Sequence, residues 1–255
     1  MTALALARRR IVVTRPAGQA QHLAGLIRAA GGEAVLFPVL EIRDAEDLRP
    51  LHALIDRLDA FDLAIFVSAN AVQKALALIN ARRAWPPGLR VATVGRGSER
   101  ELARYGFSAV IVPSSGFDSE ALLDLPELKQ VAGKRVLIFR GDGGRELLGG
   151  TLAERGAVVE YAECYRRCRP QADAAPLIAL EERKELDAIT VTSSEGLANL
   201  RDMLGEAGRH LLDATPLFVP HQRIAAAARA LGAQNVVLTE AGDEGLVAAL
   251  SAFFG

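Results

Sequence analysis

Several turns in this chain combine residue types that hold anions. Arg140-Gly-Asp-Gly-Gly-Arg145 sets glycine amides between two guanidiniums. Such a turn at a helix start cradles a carboxylate or phosphate, because amides and helix dipole face the anion and arginine grips it bidentately. Thr14-Arg15-Pro-Ala-Gly18 is its counterpart near the beginning of the chain. Hydroxyls and amides cluster in similar places: Ser68 with Asn70, Ser193 with Ser194, and Ser114, Ser115 and Ser119. As helix N-caps alone each is worth about 1 kcal/mol; presented together they could bind a ligand with several carboxylates. Among the four histidines, His22, His52, His210 and His221, only His221 follows an expected strand, beside Arg223, and is a binding candidate; the other three read as solvated helix residues. Tyr165 is one of three tyrosines. Its phenol could protonate a leaving group, or it could simply pack.

Other chemistries lack their residues. There is no GxSxG elbow and no HExxH spacing. Gly95-Arg-Gly-Ser98 and Gly141-Asp-Gly143 lack the third glycine of a dinucleotide fingerprint, and no Lys-Ser/Thr follows the glycines as in a Walker loop. Cys164 and Cys168, the only cysteines, are spaced as neither a redox pair nor half of a zinc site, and are expected to be reduced thiols. The 30 basic and 31 acidic residues nearly cancel, so the positive field of a general nucleic-acid binder is missing. The apolar run before Arg8 carries its charges on the wrong side for a secretory signal and is too short to cross a bilayer, as is every later run. A cytoplasmic protein without nucleic-acid or membrane partners is expected.

The elements that must position these turns are short β-branched runs alternating with amphipathic helical stretches, the pattern of βα units on parallel sheets. Strands are expected at 11–14, 63–67, 91–94, 109–112, 136–139, 188–191, 217–219 and 235–238. Gly31 and Gly156 are expected to stop helices that begin near Ala20 and Arg145. In open parallel sheets ligands sit beyond the carboxyl ends of the strands, where the turns above lie.

The chain also nearly repeats itself. Arg10-Ile-Val-Val-Thr-Arg15 returns as Arg135-Val-Leu-Ile-Phe-Arg140, and Phe66-Val-Ser-Ala-Asn-Ala-Val72 as Val191-Thr-Ser-Ser-Glu-Gly-Leu197, both at an offset of 125 (135 minus 10, 191 minus 66). Two similar domains with a shared cleft are expected. Phe37 to Arg43 and Tyr161 to Arg167 occupy equivalent places and alternate apolar with polar residues, as half-exposed crossovers would. A cut near Lys134 competes with that division.

Thr14-Arg15-Pro16, Phe66 to Val72, Val94-Gly95 with Ser98, Arg140 to Arg145, Glu163-Cys-Tyr165 and Thr192-Ser-Ser194 resemble the uroporphyrinogen-III synthase family, in the family's order and across nearly the whole chain. The resemblance implies two similar flavodoxin/Rossmann-like α/β domains joined by a two-stranded connector. Residues 1–36 and 168–255 would form one, 44–160 the other, and 37–43 and 161–167 the crossover strands. It implies closure of hydroxymethylbilane to uroporphyrinogen III, with inversion of the terminal ring and loss of water. By the same resemblance no metal or organic cofactor would be needed. The substrate would be a linear tetrapyrrole polycarboxylate, and a hand-over from hydroxymethylbilane synthase to a monomeric enzyme is expected. Tyr165 would assist departure of the hydroxyl. Arg15, Ser68, Asn70, Ser98, Arg140, Arg145, Ser193, Ser194, His221 and Arg223 would bind substrate. Two positions depart from the family: Ser98 stands where many members have threonine, and Pro220-His-Gln-Arg223 replaces a Gly-Pro-Thr-Thr pattern. A non-enzymatic two-domain binding protein and a cleft-type nucleotide-sugar transferase are the competing readings.

Overall fold

The apolar runs become the inner strands of two parallel sheets. The computed structural model describes residues 4–116, 118–143 and 146–255. Its strands are β1 (Arg10–Val13), β2 (Glu33–Leu36), β3 (Glu41–Asp44), β4 (Leu63–Phe66), β5 (Arg90–Thr93), β6 (Val110–Ile111), β7 (Arg135–Gly141), β8 (Val158–Cys168), β9 (Ala188–Thr190), β10 (Leu217–Val219) and β11 (Val236–Leu238). One unit, Met1–Glu41 with Cys168–Gly255, carries a five-stranded sheet in the order β11-β10-β9-β1-β2. The other, Ile42–Arg167, carries a six-stranded sheet in the order β3-β8-β7-β4-β5-β6.

The 125-residue offset matches β7 to β1, β8 to β2 and β4 to β9. β1 and β7 have equivalent neighbours, as do β9 and β4, whereas β2 is an edge strand and β8 has β3 on its far side; the chain also enters the second sheet at a different strand. Each sheet has a switch point where the strand order turns, between β1 and β9 in one and between β7 and β4 in the other. Ligands of open α/β sheets bind outside the carboxyl ends at such points.

Central strands are apolar on both faces because helices cover both. Along β4, Ala64 and Phe66 enter one core while Leu63 and Ile65 enter another; β7 divides likewise, with Leu137 and Phe139 opposite Val136 and Ile138. Phe66 stacks on Phe139 at 4.6 Å between centroids. In the five-stranded unit Val12 faces one core and Ile11 and Val13 the other. Helices stop where expected: Gly31 and Gly156 have φ of 91° and 85°, a conformation in which any Cβ would be strained.

The structure differs from the sequence expectations at sheet edges. β2 is not among the expected strands; it is an edge strand of four residues, none of them fully buried, that pairs only with β1. The segment from Phe37 is not strand until Glu41, although the Phe37 and Val39 amides donate to the Val13 and Thr14 carbonyls and both side chains are buried in the core of the five-stranded unit. Tyr161 to Arg167 is the later part of an eleven-residue strand, β8, lying between β3 and β7.

Candidate functional site

The strongest convergence of candidate residues lies at the switch point of the six-stranded sheet. β7 and β8 pair in parallel from Arg135↔Val158 to Arg140↔Glu163, and then the register slips so that Gly141 faces Tyr165. That bulge changes which side chains β8 buries. Ala162 and Cys164 are buried and Glu163 is exposed, as alternation demands, yet Tyr165 is buried immediately after Cys164. Without the bulge Tyr165 would share the exposed face of Glu163; bulges re-aim side chains in this way beside active sites. The slipped strand end is secured by the turn after β7: the Asp142 amide donates to the Tyr165 carbonyl at 2.8 Å, and Asp142 Oδ1 accepts from the Arg167 amide at 2.9 Å.

Re-aimed, the Tyr165 hydroxyl lies 3.0 Å from Ser68 Oγ. Ser68 is the N-cap of helix Ala69–Asn80 and accepts from the Ala71 amide at 3.1 Å. Its own hydroxyl proton is therefore free to be shared with the phenol in either direction. Gly141 forms the other wall, and a Cβ there would come within 2.7 Å of Tyr165 Cε2 and 2.8 Å of Cζ. Only glycine leaves room for the ring. A cavity of about 240 Å³ opens here, lined by Ser68, Arg140, Gly141, Tyr161, Tyr165 and Arg167. Tyr161 and Tyr165 also line an adjoining cavity of about 470 Å³ whose walls include Leu51, Leu54, Asp142 and Glu163.

Arg140 corrects the picture of an outward anion cradle. Its side chain is only 8% exposed. Nε donates to the Gly143 carbonyl at 3.0 Å, Nη1 lies 3.4 Å from Glu146 Oε1, and the guanidinium stands 4.9 Å from the centroid of the Tyr161 ring. A buried guanidinium must satisfy its donors with whatever oxygen is near, and here the turn's own carbonyls supply it. Arg145 lies outside the described residues. Tyr161 was not among the expected site residues. Its hydroxyl donates to Glu146 Oε2 at 3.2 Å, and burial, followed by that hydrogen bond, holds the phenol above its ordinary range, so it stays protonated and donating. Its place four residues before Tyr165 on the same strand was the available signal. Burial also pushes the Cys164 thiol up to about 12, which leaves it without nucleophilic character.

The remaining candidates divide by unit. Asn70 is in the first turn of helix Ala69–Asn80, and Ser98 is buried in the first turn of helix Arg96–Arg104, beyond β5. In the five-stranded unit, Ser193 caps helix Ser194–Leu204 by accepting from the Gly196 amide at 2.9 Å, and Ser194 Oγ is buried without a hydrogen-bond partner among the described residues. His221 and Arg223, beyond β10, are exposed and unpartnered among the described residues. Arg15 forms an ion pair with Asp243, which His22 also contacts. His22 is the solvated helix residue expected, with its side chain 64% exposed, but it also has a carboxylate partner at the far end of the chain. Among the described residues no cluster of His, Cys, Asp and Glu could hold a metal ion, and no helix is long and apolar enough to cross a membrane.

Removing the Ser68 hydroxyl tests the pairing. Ser68→Ala is expected to cost about 1 kcal/mol of stability as a lost cap. Loss of the phenol's hydrogen bond, about 1 kcal/mol, is expected to lower kcat about five-fold, with Ser68→Thr restoring both. Thermal unfolding and steady-state kinetics would separate the two effects.

A family model described as HEM4, uroporphyrinogen-III synthase HemD, matches residues 21–248. The uroporphyrinogen-III synthase of Escherichia coli is 36% identical over 235 residues, 91% of this chain and 96% of that protein. That of Synechococcus elongatus is 34% identical over 199 residues, 76% and 74% of the two chains. Among solved structures, a mutant uroporphyrinogen III synthase from Thermus thermophilus superposes with a TM-score of 0.62 at 20% identity, covering 96% of this chain and 97% of that one. The Helicobacter pylori uroporphyrinogen-III synthetase gives 0.59 at 16% identity, covering 96% and 99%. At such identities the superpositions speak for the fold.

Proposed function

The chain belongs to the uroporphyrinogen-III synthase family, and from that membership we propose that its chemistry is run by the Tyr165 cluster at the switch point of the six-stranded sheet. The enzyme is a lyase of tetrapyrrole biosynthesis that cyclises hydroxymethylbilane. Membership retires the binding-protein and transferase readings.

The observation that carries the residue assignment is the 3.0 Å contact between the Tyr165 and Ser68 hydroxyls beside a cavity. Loss of the terminal hydroxyl breaks a C–O bond while the pyrrole nitrogen supplies electrons, leaving an azafulvene-type electrophile. Tyr165 is the proton donor to that hydroxyl, which leaves as water. The electrophile is attacked by the substituted carbon of the terminal ring to form a spiro intermediate. The bond from the spiro carbon to its original methylene then breaks, leaving a second azafulvene-type electrophile on the neighbouring ring. The unsubstituted α carbon of the terminal ring attacks that methylene, so the ring is reattached inverted, and the proton this carbon loses on rearomatisation returns to the Tyr165 phenolate through Ser68.

The greater demand is conformational, since the substrate is a flexible chain bearing carboxylates on every ring. Strand-end turns of both units are suited to hold these groups: Asn70 and Ser98 in one, and Arg15, Ser193, Ser194, His221 and Arg223 in the other. Arg140 is better read as the buried strut of the β7 turn, and Arg145 is kept as a binding residue. The reading also takes the enzyme as a cytoplasmic monomer supplied directly by hydroxymethylbilane synthase. Two free thiols fit a reducing compartment, and a substrate that closes by itself to the wrong isomer favours direct supply.

Isomer analysis is the test. Purified enzyme given hydroxymethylbilane is expected to yield predominantly the type III ring, whereas the uncatalysed reaction gives type I. A product composed only of type I would overturn the reading.

A further inference from the structure

We propose that Asp243, fixed in turn by His22, is a positioning residue that holds Arg15 ready for a substrate carboxylate. The proposal rests on the reading of Arg15 as a substrate-binding residue. It starts from the internal repeat: Arg15 and Arg140 stand at equivalent strand ends, 125 residues apart (140 minus 15). Left to local partners, Arg140 folds inward onto the carbonyl of Gly143 and under Tyr161. Arg15 does not.

Its partner is brought from the far end of the chain. Asp243 is the first residue of helix Asp243–Phe254 and is 8% exposed. A carboxylate so buried must be satisfied, and it has three sources of support: the Arg15 guanidinium on Oδ1, His22 Nδ1 at 2.7 Å on Oδ2, and the positive end of its own helix. Facing a carboxylate, His22 Nδ1 must carry the ring proton and donate it. His22 projects from helix Ala17–Ala29, which follows Arg15 directly, so the ion pair is held between two helices that pack together.

This arrangement leaves Arg15 usable. The pair engages Nη1, one end of a guanidinium that carries donors on all of its nitrogens. The side chain retains 20% exposure, against 8% for Arg140. A carboxylate whose Oδ1 holds Nη1 while its Oδ2 is fixed by His22 thus removes rotamer freedom from a long side chain before substrate arrives, which is how preorganisation improves binding.

The test is a double-mutant cycle on the full-length enzyme with hydroxymethylbilane. Arg15→Ala is expected to raise KM about ten-fold, as loss of a charge-assisted hydrogen bond should. Asp243→Asn, nearly isosteric, is expected to raise KM several-fold, with the fall in kcat/KM lying chiefly in KM. In the double variant KM should match that of Arg15→Ala alone. A structural role would instead give additive losses. His22→Ala, on the exposed face of its helix, is expected to raise KM about two-fold and serves if Asp243→Asn does not fold. A rise with Arg15→Ala but wild-type KM in Asp243→Asn, or in His22→Ala where Asp243→Asn cannot be purified, overturns the positioning role and leaves the binding role of Arg15 standing. Wild-type KM in Arg15→Ala removes the binding role itself.

Discussion

Tyr165→Phe is expected to lower kcat about 100-fold or more, the usual contribution of a positioned proton donor, while leaving the fold intact. The ring is what fills space against Gly141, and phenylalanine keeps it. The lost hydrogen bond to Ser68 should cost only about 1 kcal/mol, because Ser68 Oγ still accepts from the Ala71 amide. The defect should therefore be seen in turnover and hardly in thermal unfolding. Product analysis adds a second signature. As the enzymatic route slows, spontaneous closure competes, and the type I share of the product should rise with incubation time. An unchanged kcat would remove Tyr165 from the reaction.

The second large effect is expected from Gly141→Ala, a change that adds one methyl and removes nothing. A Cβ there would lie 2.7 to 2.8 Å from the Tyr165 ring, closer than carbon atoms tolerate, so the ring must move. Gly141 is the β7 residue opposite the bulge, held by strand pairing on that side, and cannot easily retreat. Overpacking of this kind costs about 1 to 3 kcal/mol, and shifting a catalytic group by about 1 Å costs on the order of 100-fold in rate. Since both substitutions act through one hydroxyl, Tyr165→Phe/Gly141→Ala should be hardly slower than Tyr165→Phe alone. Gly25→Ala provides the comparison. It lies in helix Ala17–Ala29 with nothing within 4 Å of the added methyl, so helix propensity should leave stability unchanged or raised by up to about 1 kcal/mol. Wild-type kcat in Gly141→Ala would mean that the phenol's place is immaterial.

Much of the fold was legible because its determinants are local. The runs around Ile11, Ile65 and Ile138 are too short and too apolar to be anything but buried strands, and Gly31 and Gly156 mark helix ends whatever the partners. The edges were less legible. Glu33–Leu36 is a strand only through its pairing with β1, a partner that no short stretch of sequence shows, and Phe37 and Val39 look like strand residues until the core that takes them is known. At the site, Ser68 and Tyr165 could each be picked out by type and place, but not as partners, since they are 97 residues apart in the chain. Alternation along β8 would have turned Tyr165 toward the exposed side with Glu163. Arg15 and Arg140 are indistinguishable in the repeat.

The sequence by itself determined the element types, the duplicated order of strands and the turns beyond their carboxyl ends, because periodicity, glycine stops and N-caps act over a few residues. Tertiary structure decided the rest: the bulge that re-aims Tyr165, the wall that Gly141 provides, and the contrast between an inward Arg140 and an Arg15 held by Asp243. Each depends on which distant strand or helix lies alongside, and so on register and packing, which no short stretch of sequence encodes.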